Sequence, residues 1–153
     1  DKIIAYVGDV KEVTEKDVAE AVGEIRMENV FALTEALKSR NPQKALQALH
    51  NQMGQDEDPI MVLGTIAWQF RLIWEVKHHQ DRRVPSARIA EAIGAKPFVV
   101  EKAMGYTRNF DVPHLKKAFA LLGETDRELK SSGKKDPFLA LESLVLKLCS
   151  GNF

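Results

Sequence analysis

Four histidines, one cysteine and nine glycines are the residues from which this 153-residue chain could build a metal site, a nucleophile or a nucleotide-binding loop. A phosphate-cradling loop needs glycines that let backbone amides close on the anion, followed by a lysine and a hydroxyl. Here the glycines are scattered, and Gly8, Gly23, Gly54, Gly94 and Gly133 fall where helix ends or turns are expected. His78 and His79 close an apolar segment, and adjacent residues on a helix point in different directions. They suit a cationic helix C-terminus better than a shared metal ion. His50 and His114 read as surface residues without ligand-spaced partners. Cys149 has neither a second cysteine nor an adjacent base, so it reads as a packed thiol. No catalytic residue, metal or cofactor is expected.

One segment has the layout of a DNA reader. Residues 89–100 give a short helix, a glycine turn at Gly94 and a second helix, as in a helix-turn-helix. The second helix opens with Lys96, Phe98, Val99, Glu101 and Lys102, whereas base edges are normally read by Arg, Asn or Gln. A helical corner inside a bundle explains the same pattern. A DNA-binding regulator using residues 85–108 stands as the alternative. Two charges also interrupt apolar lines: Arg71 between Ala67 and Trp74, and Asp126 between Leu122 and Leu129. A buried lone charge is costly, so the two are expected to pair across two helices and set their register. Lys130, one helical turn after Asp126, is the local alternative. If the long-range pair is buried, Asp126→Ala should cost about 3–5 kcal/mol.

The elements that must position these groups are helices. Proline lacks a backbone donor and has φ near the helical value, which suits it to a first helical turn. Asn41-Pro42, Asp58-Pro59 and Asp136-Pro137 place a capping side chain directly before a proline, and Pro85, Pro97 and Pro113 precede segments of helical period. Thr14, with Asp17 three residues on, and Asn29 mark two further starts. Helices are therefore expected near 14–22, 29–39, 42–53, 59–79, 85–93, 97–108, 113–131 and 137–149. The only β-like stretch, Ile3 to Val7, is too short for a sheet, so the fold class is all-α. Short connections make successive helices neighbours in one bundle. The 59–79 helix, apolar on a wide face through Leu63, Ile66, Ala67, Phe70, Ile73 and Trp74 and broadened by Ile60, Val62, Leu72 and Val76, should lie at its centre. Gly64 inside it is expected where another helix approaches closely.

At 44% hydrophobic and 29% charged residues, the chain can bury a core and belongs to one globular domain, with a possible appended fragment. One cysteine fits a reducing, cytoplasmic setting. No apolar run approaches the ~20 residues that span a bilayer, so no membrane partner is expected. The chain starts at Asp1 without a signal-peptide pattern and reads as a piece excised from a longer protein. Net charge is zero but polarised: residues 1–60 carry 7 basic and 12 acidic side chains, residues 61–153 carry 15 and 10. That asymmetry falls short of the basic stripe of a dedicated nucleic-acid binder.

Several short stretches carry a resemblance through their order and spacing. They are Val13-Thr14-Glu15-Lys16-Asp17-Val18, Asn29 to Leu37, Asp58-Pro59-Ile60 with Leu63, Gln69-Phe70-Arg71-Leu72, Asp126-Arg127-Glu128-Leu129-Lys130 and Leu141-Glu142-Ser143-Leu144. Together they span nearly the whole chain, which resembles the C-terminal part of the δ subunit of the bacterial DNA polymerase III clamp loader. The resemblance implies a helical bundle of the collar type over residues 29–153, preceded at 1–28 by the end of the helical lid domain. It implies a non-catalytic subunit of the DNA polymerase III holoenzyme, whose overall reaction is DNA-directed nucleotidyl transfer. Its partners would be other clamp-loader subunits, through the collar, with primer–template DNA a further one. The sliding clamp would be met only through an N-terminal module that this chain lacks.

The family lets collar aromatics approach the primer–template junction, and Phe98, flanked by Lys96 and Lys102, is the position nearest that role; core packing is the competing reading. A ring-forming domain must also show its neighbours an apolar surface. In the 137–149 segment Phe138, Leu141, Val145 and Leu148 follow a core line, so Leu139 and Leu146 should share an outer stripe that meets a neighbouring subunit.

Overall fold

Helices start where the prolines and the polar residues before them place the starts. The computed structural model describes residues 31–54, 58–131, 133 and 136–150. Within them lie α1, described over 31–38, α2 (Pro42–Met53), α3 (Pro59–Asp81), α4 (Ser86–Ile93), α5 (Pro97–Met104), α6 (Val112–Lys130) and α7 (Pro137–Ser150), with no strand among the described residues. The expected 14–22 helix and the proposed lid portion at 1–28 lie outside them. Asn41 Oδ1 accepts the Lys44 amide at 3.1 Å and Asp58 Oδ1 the Ile60 amide at 2.9 Å, so orphan donors of α2 and α3 are satisfied. Asp111 does the same for α6 through the His114 amide at 2.9 Å, and that bond holds its carboxyl below the usual range.

Three helix ends close in one geometry. Asn41, Val84 and Ala95 donate their amides to Ala36, His79 and Ala90, each five residues back, while the preceding Arg40, Arg83 and Gly94 bond three residues back. The capping residue takes positive φ in each case, 52° at Arg40, 57° at Arg83 and 71° at Gly94. Only the third is a glycine. The expected 97–108 helix stops early, at Met104, and residues 105–109 form turns. The reason is tertiary: Tyr106 is buried and its ring stacks on Phe31 with centroids 5.8 Å apart, a position that a continued helix would not supply.

α3 is the centre of the bundle and touches α2, α4, α5, α6 and α7. Its buried side chains include Val62, Leu63, Ile66, Phe70, Leu72, Ile73 and Val76, as its apolar face requires, and also Thr65, Trp68 and Gln69. Ala67 and Trp74 are only half-buried and Ile60 is exposed, so the inner face is turned away from the expected one. The turn is explained by α1, which packs where Trp68 and Gln69 lie. Phe31 meets Trp68 with centroids 5.8 Å apart. The Thr34 hydroxyl donates to Gln69 Oε1, and Gln69 Nε2 donates to the Thr65 carbonyl at 3.3 Å. Around the same contact Tyr106 is bonded to Glu35; burial first, then this bond and the Glu35 charge, push its phenol above the ordinary value.

Gly64 corrects the close-approach expectation: a Cβ built there meets nothing within 4 Å. Gly64→Ala should therefore raise stability by about 1 kcal/mol, read as a higher urea midpoint with unchanged slope. Thr34→Val should lower it by about 1–3 kcal/mol, because Gln69 Oε1 would be left buried without its donor. Replacing both, with Gln69→Leu, should restore part of the loss in the same titration.

Candidate subunit interface

α7 is buried on one side and bare on the other. Asp136 Oδ1 accepts the Phe138 amide at 2.9 Å and Pro137 occupies the first turn, which sets the helix at its start. Ala140, Leu141, Leu144, Val145, Leu148 and Cys149 then turn inward and are buried against α2, α3 and α6. Burial pushes the Cys149 thiol up, partly opposed by the Arg40 charge, which agrees with a packed sulfur. The far side carries Leu139, Ser143, Leu146 and Ser150, at successive spacings of one helical turn. Leu139 is 62% exposed and Leu146 43%. Covering each would contribute on the order of 1 kcal/mol.

Two shallow grooves run along this side. One, of about 390 Å³, is lined by Leu139, Glu142, Ser143, Leu146, Lys147 and Ser150; the other, of about 310 Å³, by Glu128, Asp136, Leu139, Ala140 and Ser143. Leu139 and Ser143 line both, which joins them into one trough. Its floor is apolar and its rim charged, acidic at Glu128, Asp136 and Glu142 and basic at Lys147. Glu142 Oε1 stands 2.9 Å from His50 Nε2, so the rim is tied to α2. His50 was not readable as a partner because the contact joins residues far apart in sequence. Ser143 and Ser150 were readable, one turn beyond each leucine.

The outer stripe of Leu139 and Leu146 stands as the helical period requires. Phe138 does not lie in the core: it is 40% exposed. It sits in the first turn of α7, where Pro137 and Leu139 are exposed as well and Ala140 is the first buried residue; period fixes direction, not depth along the axis. The expected pair of Arg71 and Asp126 is not formed. Asp126 binds Lys130, with Nζ 3.0 Å from Oδ1, and Arg71 is exposed. Once α1 turns the inner face of α3 toward Trp68 and Gln69, position 71 is carried to the solvent side. His114, read as isolated, bonds the Asp111 carboxylate through its ring.

The segment resembling a helix-turn-helix is a helical corner. α4 and α5 pack on each other and on α3 through Ile89, Ala90, Val99, Val100 and Ala103. Phe98 is half-buried against the core, with Lys96 and Lys102 exposed beside it. Among the described residues no group of three His, Cys, Asp or Glu could hold a metal ion. No helix among them is long and apolar enough to cross a membrane.

Comparison with known proteins places this geometry in a family. The family described as DNA polymerase III delta subunit, C-terminal domain, matches residues 27–148. DNA polymerase III subunit delta of Bacillus subtilis (strain 168) is 32% identical over 151 residues, covering 99% of this chain and 43% of the relative. The solved structure of the Bacillus subtilis DNA clamp loader delta protein superposes with a TM-score of 0.75 at 32% identity, covering 97% of this chain and 44% of that one. The chain thus spans less than half the length of the relatives it matches. These matches support the clamp-loader reading and not the DNA-binding regulator.

Because Asp126 pairs at the surface within its own helix, Asp126→Ala should change stability by less than about 1 kcal/mol, far below the loss expected for a buried pair. Urea denaturation checks it; a loss of several kcal/mol would mean that Asp126 has a buried partner after all.

Proposed function

This chain belongs to the DNA polymerase III delta subunit family through that subunit's C-terminal domain, and we propose that it serves as the collar by which the subunit is built into a clamp loader during DNA replication. The trough along α7 carries this reading. It is the outer face of a helix whose inner face already fills the core, and Leu139 and Leu146 leave it more apolar than a solvated helix needs. A neighbouring loader subunit is the partner that would cover it, and the cytoplasm is where such a loader works. Residues 29–153 form the collar and residues 1–28 the end of the lid, a division supported by a family match that begins at residue 27. Meeting the sliding clamp falls to the part of the subunit that lies outside this chain.

Nucleotide hydrolysis and polymerisation belong to other subunits in this proposal, because the sequence has neither a phosphate-cradling loop nor a recognisable carboxylate metal site. ATP turnover that followed the purified chain through several columns would overturn that part.

Leu139→Lys with Leu146→Lys should leave the isolated chain folded by circular dichroism and weaken its incorporation into a loader reconstituted from purified subunits. Loss of folding would make both residues core, and undiminished incorporation would move the interface elsewhere.

A further inference from the structure

The α7 trough carries a two-fold pattern in its own sequence. Leu139, Ser143, Leu146 and Ser150 follow one another at spacings of four, three and four residues, and they line one groove together with Glu142 and Lys147. These six residues pair off about a single point between Leu144 and Val145: Leu139 with Ser150, Glu142 with Lys147, and Ser143 with Leu146. An antiparallel copy of the helix centred on that point would set each leucine opposite a serine and each carboxylate opposite an ammonium. Large against small lets two helix faces interdigitate, and the antiparallel arrangement brings opposite ends of the helix dipoles together. Within one chain Glu142 and Lys147, five residues apart, are not neighbours on the helix surface. Glu142 Oε1 stands 2.9 Å from His50 Nε2, which holds the carboxylate at the rim and leaves Oε2 for a second partner. Lys147 is exposed and forms no ion pair among the described residues.

We propose that the trough binds a second copy of itself, giving a two-fold dimer of antiparallel α7 helices in which Glu142 of each copy bridges to Lys147 of the other. A two-fold contact requires that a surface complement itself, and here size and charge meet that requirement about the same centre. Each copy supplies two exposed leucines, Leu139 and Leu146, so the contact is small beside the ~800 Å² per partner of a stable complex, and a dissociation constant on the order of 100 µM is expected. The proposal rests on the collar reading in so far as both make the trough an interface. Self-pairing covers the face that a neighbouring subunit needs, so pairing and incorporation into a loader exclude each other.

Sedimentation equilibrium of the 153-residue chain at low salt, up to about 1 mM protein, tests it and should show a monomer–dimer equilibrium. Lys147→Glu and Glu142→Lys should each weaken self-association about tenfold, because the two-fold counts every altered contact twice. Mixed in equal amounts, these two variants should associate as tightly as the unaltered chain, since every facing pair at the two positions is then of opposite charge. Lys116→Glu makes the same charge change at an exposed position of α6; it should keep self-association within about twofold and should not restore association when mixed with Glu142→Lys. Circular dichroism checks folding, and Glu142→Gln takes the place of Glu142→Lys if that variant unfolds; Lys147→Glu should then bind it more tightly than it binds itself. A chain that stays monomeric at the highest concentration, a dimer indifferent to Lys147→Glu, or restoration by Lys116→Glu as good as by Lys147→Glu would each overturn the proposal. Loader reconstitution reads the collar assignment separately: a monomer whose incorporation depends on Leu139 and Leu146 overturns the dimer alone, and a dimer whose α7 variants incorporate undiminished overturns the collar interface alone.

Discussion

A 23-residue helix with ten buried side chains can be kept dry only if other elements surround it, and that requirement organises this molecule. α2, α4, α5, α6 and α7 each take a part of the circumference of α3, and α1 takes the part occupied by Trp68 and Gln69. One buried polar contact joins α3 to α1 across 35 positions. Thr34 and Gln69 satisfy one another, with Thr65 completing the set, so α1 can dock in one register only; a slip would leave an amide oxygen in an apolar core. Apolar burial supplies the driving force for packing, and this polar contact makes the packed state unique.

The same demand leaves surfaces free in particular places. α7 covers one side of the centre with Leu141, Leu144, Val145 and Leu148, and a helix that does so must present its other side to the exterior. That side holds leucines and serines rather than a lawn of charge, and its acidic rim is partly held by His50 from α2. At the end of α3 the reverse occurs. The chain turns into α4 with Arg82 and Arg83 exposed, and only Val84 of the turn packs against the core.

Much of this was legible in the sequence because local chemistry decided it. Asn41, Asp58 and Asp136 before their prolines mark helix starts, and the structure finds a capping bond at each. The centrality of α3 follows from how little of its surface is polar. The outer position of Leu139 and Leu146 follows from period alone, since residues seven apart on a helix share a face opposite the core line. All of these are properties of one helix and its nearest neighbours in sequence.

What only the tertiary structure decided were contacts between segments distant in sequence, and how far along its axis each helix is covered. Arg71 and Asp126 each sit on a helical line that looks buried, but the docking of α1 turned α3, and Asp126 found Lys130 one turn away. Phe138 falls on the core line by period yet is 40% exposed in the first turn of α7. Gly64 faces open space rather than a neighbour. Tyr106 ends α5 early because Phe31, 75 positions before it, offers a ring to stack on. A sequence determines the pitch and amphipathic direction of each helix through local sterics and hydrogen bonding. The rotation and depth at which helices settle against one another depend on the simultaneous packing of all of them.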